Sequence, residues 1–178
     1  EEFNISAKEI ILDKMIQQDG RSLIYFPLFN YSKGNLDDVH FMLTHEHTAF
    51  GLGDAGAHCG VLCDASFPTT LLTHWTRDRS RGKRLPLEWV IMKQTKCNAE
   101  WIGLKDRGVL EPGKKADINI IDYDNLTLNQ PEIINDLPGS SKRLIQKTEG
   151  YSETIVSGKV AFRNGLSTGS LTGRLVRS

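Results

Sequence analysis

The chain has 178 residues and carries 22 Lys and Arg against 22 Asp and Glu, so its formal net charge is zero. That length fits one ordinary domain, or one domain with a small appendage. Hydrophobic residues at 39% and charged residues at 25% describe a globular chain with enough apolar side chains for a core, not a disordered one. No apolar run approaches the roughly 18 residues that a membrane-spanning helix needs. Glu1-Glu2-Phe3-Asn4 lacks the basic start and apolar stretch of a secretory leader, and no basic stripe suits nucleic acid. The expected partners therefore include neither membrane nor nucleic acid. Cys59, Cys63 and Cys97 are odd in number and make no disulfide framework, which points to a reducing compartment and a cytoplasmic protein. Cys59 and Cys63 follow His58 closely, but no second Cys/His pair stands at structural-zinc spacing, so they read as packed free thiols.

Ser6-Ala7-Lys8-Glu9 has the form of a capping box, with Ile10, Ile11 and Met15 at helical spacing and Asp19-Gly20 as the stop. Ser22 to Phe26 is short, apolar and partly aromatic, which predicts a buried strand. Asn35 caps a second predicted helix through Leu43, with Asp37 and Asp38 in its first turn where the macrodipole favours them. Thr48 to Gly53 reads as another short strand ending at Asp54, and a loop rich in small residues runs from Ala55 to Phe67. Pro68 opens a helix through Arg79, and Pro86 opens another that carries Trp89, Val90 and Met92. Helix and strand in alternation with brief connections are the rhythm of an α/β fold.

The character changes after Gly103. Asp117 to Asp122 alternates as a strand, residues 124–142 read as a polar excursion, and 143–147, 152–156 and 159–162 are strand-like. Ser157-Gly158 is a two-residue hairpin signal and Asn164-Gly165 a further turn. A boundary is expected near residue 105, giving a helix-rich part over 1–104 and a small β part over 105–178. The basic stretch Arg77 to Arg84 reads as a solvated loop between helices.

The most informative segment is Gly51 to His58. Asp54 is a lone carboxylate at the end of a predicted strand, flanked by residues too small to shield it. In parallel α/β folds that edge is where ligands and catalytic groups collect. His58, on the same loop, can ligate or hydrogen-bond. On the residues alone, a helix-capping Asp54 and a merely polar His58 remain the alternative.

Gly53-Asp54-Ala55-Gly56-Ala57-His58, followed by Cys63-Asp64-Ala65-Ser66-Phe67-Pro68-Thr69, resembles the last barrel strand and loop of the amidohydrolase superfamily. The nearest subgroup is the N-acyl-D-amino-acid deacylase, or D-aminoacylase-like, one. The likeness continues through Gly103 to Leu110 and Pro112 to Asp117, and ends with Val156 to Val160, Asn164-Gly165 and Thr168-Gly169. It implies the C-terminal part of a (β/α)8 barrel over residues 1–104, then strands of a small β-sandwich over 105–178. It also implies a zinc-dependent hydrolase of non-peptide amides, acting on a small-molecule amide, with Asp54 as the eighth-strand aspartate, both catalytic and a metal ligand. His58 and Ser66 are the expected substrate contacts, since Ala55 through Thr76 contains no Arg to meet a substrate carboxylate.

A complete barrel takes roughly 250 residues. The family's first-strand His-x-His pair and its other ligands are expected upstream, so this chain by itself is not expected to hold the zinc. It is expected to need upstream sequence or self-association. His45-Glu46-His47 has His-x-His form but falls before the strand leading to Asp54, on the side of such barrels that serves stability. The competing expectation, from a different class, is a non-catalytic binding or oligomerisation module that retains only amidohydrolase ancestry.

Overall fold

A computed structural model of the chain describes residues 5–27, 29–51 and 53–176. The residues expected to exclude a leader, 1–4, lie outside that set, as does Leu52 of the second predicted strand. Two compact units divide the chain, residues 1–39 and 40–178.

The first unit is dominated by α1 (Ala7–Gly20). The capping box forms as expected: the Glu9 N–H donates to Ser6 Oγ at 3.3 Å, and the Ser6 N–H donates to Glu9 Oε2 at 2.8 Å. Hydrogen bonds from the Ser6 hydroxyl and backbone hold the Glu9 carboxyl below its ordinary value. Regular helix ends before the expected Asp19-Gly20 stop, because Gln17 is extended and Gln18 and Asp19 are left-handed (φ 54° and 57°). The predicted strand Ser22 to Phe26 does not form. No ladder partner reaches it among the described residues, and Tyr25 and Phe26 are 87% and 76% exposed. Helix α2 (Asp37–Thr44) follows, with Asn35 Oδ1 accepting the Asp37 N–H at 3.1 Å, as its capping role requires.

In the second unit the predicted strand Thr48 to Gly53 is likewise absent over its described residues. Its carbonyls are claimed by side chains rather than by a neighbouring strand. Lys93 Nζ donates to the Thr48 carbonyl at 2.9 Å and Asn98 Nδ2 to the Phe50 carbonyl at 2.7 Å. Phe50 is buried edge-on against Trp89, with ring centroids 5.6 Å apart. The core around it comes from α3 (Phe67–Thr73), the π turn His74–Asp78 that continues it, α4 (Leu87–Met92), and α5 (Asn98–Trp101). Leu71, Leu72, Trp75, Leu85, Val90 and Ala99 are buried there. Pro68 opens α3 within its first turn as the sequence predicts, since a missing N–H costs nothing there, whereas Pro86, expected in a first turn, is the extended N-cap that precedes α4. Among the described residues no helix is long and apolar enough to cross a membrane.

Among the described residues eight short strands follow: β1 (Ile118–Ile121), β2 (Thr127–Leu128), β3 (Glu132–Leu137), β4 (Ser141–Ile145), β5 (Thr148–Glu149), β6 (Tyr151–Val156), β7 (Lys159–Arg163) and β8 (Leu166–Ser167). They form an antiparallel sheet in the order β1-β6-β7-β8 and two antiparallel pairs, β2-β5 and β3-β4. Ser157 and Gly158 both have positive φ (53° and 78°), the conformation a two-residue hairpin demands, and Asn164-Gly165 repeats it before β8. Asp117 ties the β6–β7 turn to the approach to β1: its Oδ1 accepts the Ser157 N–H at 2.8 Å. The polar excursion expected over 124–142 is in fact strand-bearing, because β3 and β4 pair across the Pro138-Gly139-Ser140 turn. The architecture is thus mixed α/β, with helices first and antiparallel sheets after them.

The helical and β parts are joined by polar contacts, most of them half-buried. Thr69 Oγ1 and the Tyr151 hydroxyl lie 2.8 Å apart, and Thr76 Oγ1 and the Tyr123 hydroxyl 2.7 Å apart. Arg77 donates to the carbonyls of Tyr123, Asp124 (3.2 Å) and Leu126 (2.7 Å), and Arg79 is buried with its guanidinium 4.4 Å from the Trp75 ring centroid. These two arginines therefore leave the solvated loop expected of the basic stretch. Gly150 has φ +102°, and a Cβ there would stand 2.7 Å from the Cα of Leu126, so no larger residue fits beside that fully buried leucine.

Candidate functional site

The loop after Gly53 is built without regular structure and is pinned at both ends. The Asp54 N–H donates to Asp64 Oδ2 at 2.8 Å, and the Asp54 carbonyl accepts the Ala57 N–H at 3.1 Å. His58 sits at positive φ (47°), its carbonyl accepting the N–H groups of Val61 (2.7 Å) and Leu62 (3.1 Å). The chain then returns towards β4, where the Leu144 N–H donates to the Cys59 carbonyl at 2.7 Å. Ser66 donates its hydroxyl to Gln146 Oε1, and Gln146 Nε2 in turn donates to the Asn129 carbonyl at 2.9 Å.

Between this loop and β4 lies a cavity of about 540 Å³. Ala55, Gly56, Leu62 and Ser66 line one side, and Arg143 to Gln146 the other. The Arg143 fork is engaged by Asp136, with Nε and Nη2 at 2.7 and 2.6 Å from its two carboxylate oxygens. That pairing raises the Arg143 pKa and holds the Asp136 carboxyl below its ordinary value. Cys63 also borders the cavity; burial first, and the neighbouring Asp64 carboxylate second, push its thiol above the ordinary range.

The three residues singled out by sequence are placed differently. Ser66 lines the cavity; Asp54 is exposed and immediately precedes the lining residues Ala55 and Gly56; His58 is exposed on the turn beyond. No hydrogen bond among the described residues links the three side chains. The strand-like stretch expected over 143–147 forms most of β4, but its part in walling the cavity and its pairing with β3 were not foreseen, although the Pro138-Gly139 turn signal could have exposed the hairpin. It also passed over Asp64, ten residues from the backbone it holds.

His45 and His47 are exposed, with ring centroids 5.5 Å apart, and His47 Nε2 lies 3.4 Å from Glu46, so the turn satisfies itself. His74 packs edge-on against Trp75 at 5.3 Å; burial and the nearby Arg79 cation lower its pKa. Among the described residues, no group of three or more His, Cys, Asp or Glu could hold a metal ion. A zinc site takes three or four protein ligands. The residues present do not fit a complete metal centre.

Comparison with known proteins agrees with this sequence's own motifs. The profile of the Amidohydrolase family matches residues 21–162. A dihydroorotase of Lactobacillus acidophilus is 32% identical over 114 residues, which are 64% of this chain and 26% of that protein. The chain thus spans about a quarter of the length of that curated relative. No solved structure matches it. With four-fifths of its residues under one family profile, the chain belongs to the amidohydrolase family.

Proposed function

We propose that the chain is the C-terminal portion of a metal-dependent hydrolase of carbon–nitrogen bonds in non-peptide amides. The observation that carries this reading is the exposed carboxylate of Asp54, at the head of a loop that walls a cavity, in a chain of the amidohydrolase family. On this reading Asp54 takes a proton from the attacking water on a carboxylate oxygen and delivers it to the leaving nitrogen. Ser66 and the apolar wall around Leu62, Leu144 and Ile145 receive the substrate, and His58 meets it from the turn.

The finer assignments rest on the same motifs. Residues 1–104 are the end of a (β/α)8 barrel and 105–178 strands of its small β-sandwich. The substrate is of the D-aminoacylase kind, an N-acyl-D-amino acid, with a cyclic amide such as dihydroorotate as the nearest competitor. Zinc is the metal, with Asp54 as one ligand and the others supplied by upstream sequence. The full-length protein dialysed against a chelator should lose amide hydrolysis and regain it on adding zinc. Activity that survives complete metal removal would overturn the metal dependence.

A further inference from the structure

Asp64 bridges the two ends of the loop that carries Asp54. Its Oδ2 accepts the Asp54 N–H at 2.8 Å, while its Oδ1 is buried and meets no hydrogen-bond donor among the described residues. A buried acceptor without a donor costs stability, a cost set against the hydrogen bond that the other carboxylate oxygen makes to the Asp54 backbone. The backbone before Asp54 lies directly on this carboxylate. A Cβ added at Gly53 would stand 2.8 Å from Asp64 Oδ1 and 2.9 Å from both its Cγ and its carbonyl oxygen. Only glycine lets the chain approach so closely, and the approach fixes where the next residue leaves the loop.

We propose that Asp64 is the positioning residue for Asp54. Its carboxylate clamps the Gly53–Asp54 backbone, so that the exposed Asp54 side chain is presented from a fixed point beside the cavity. The inference rests on Asp54 being the proton-transferring group. It adds that the geometry of that group is set in part from ten residues away, beside its near neighbours Gly53 and Ala57.

The test uses the full-length protein with N-acetyl-D-leucine and dihydroorotate as probes, with hydrogen exchange at the Asp54 amide as a second readout. Asp64→Ala removes the acceptor, and Asp64→Asn keeps a carbonyl oxygen that can still accept. Gly53→Ala retains Asp64 but drives a methyl group into it. Asp64→Ala and Gly53→Ala should each lower kcat by about 10- to 100-fold with little change in KM, the signature of misplacement rather than lost binding. Amide exchange at Asp54 should speed up by about tenfold in Asp64→Ala. Asp64→Asn should restore both readouts towards wild type. Unchanged exchange, or unchanged kcat in Asp64→Ala and Gly53→Ala while Asp54→Asn is inactive, would overturn the inference and leave the proposed function standing. Full activity in Asp54→Asn would overturn both together.

Discussion

Replacing Asp54 by Asn in the full-length protein should lower kcat/KM for amide hydrolysis by about 10²- to 10⁴-fold, the usual range for removing a general acid–base group. Asn has the same size and shape but cannot take up a proton from water. The fold should not register the change. The Asp54 contacts in the structure are made by its backbone: the N–H to Asp64 and the carbonyl from Ala57. Its side chain is exposed, and exposed substitutions usually shift stability by less than about 0.5 kcal/mol. Steady-state kinetics and a melting curve on the same preparation therefore separate lost chemistry from lost structure. A variant that melts normally and hydrolyses normally would reduce Asp54 to a loop residue.

The largest expected effect on stability is at Arg77. Its guanidinium donates to the carbonyls of Tyr123, Asp124 and Leu126, pairs with Asp78 at 2.7 Å, and stands 5.5 Å from the centroid of the Tyr123 ring. Leu126 is fully buried, so its carbonyl has little recourse to water once the donor is gone. Hydrogen bonds to a charged group are worth about 1.5–3 kcal/mol each, and they are not additive. Arg77→Ala should destabilise by roughly 2–4 kcal/mol, since it both removes these bonds and strands the carbonyl of buried Leu126. For a domain of this size that corresponds to a fall of about 5–15 °C in Tm. Arg77→Lys should recover only part of the loss, because one ammonium cannot span carbonyls that a planar fork reaches together. A change of Tm within about 1 °C for Arg77→Ala would mean that the clamp contributes nothing to folding.

Local signals were readable wherever the responsible groups are close in sequence. The Ser6/Glu9 cap, the Asn35 cap, the helices opened by Pro68 and Pro86, and the Ser157-Gly158 hairpin each depend on residues within a few positions of one another. The two expected barrel strands failed for a non-local reason. Apolar composition at Thr48 to Phe50 satisfies a buried strand or a buried coil equally. The choice is made by Lys93 and Asn98, more than forty residues away, which take the carbonyls a ladder would need. Over Ser22 to Phe26, composition favoured a strand, but no neighbour is present to pair with it among the described residues. Strand β4 was largely legible as the stretch 143–147, but its partner β3 was hidden by polar side chains, with Glu132, Asn135 and Asp136 interrupting the apolar alternation.

The candidate site divides in the same way. Asp54 stands out in the sequence because small residues surround it. The Asp64 carboxylate under its backbone and Gln146 against Ser66 become visible only when loop and strand are brought together. The family likeness is carried by motifs spread over most of the chain, and the profile covering residues 21–162 bears out that coarser assignment.

The central claim, that this chain forms part of a carbon–nitrogen hydrolase, is tested most directly by amine or acid release. The full-length protein would be incubated with a panel of N-acetyl-D-amino acids and dihydroorotate. The account predicts turnover of at least one of these amides at a rate proportional to enzyme concentration. A folded, zinc-supplied protein that hydrolyses none of them would contradict it, and would favour a non-catalytic binding or oligomerisation module of amidohydrolase descent.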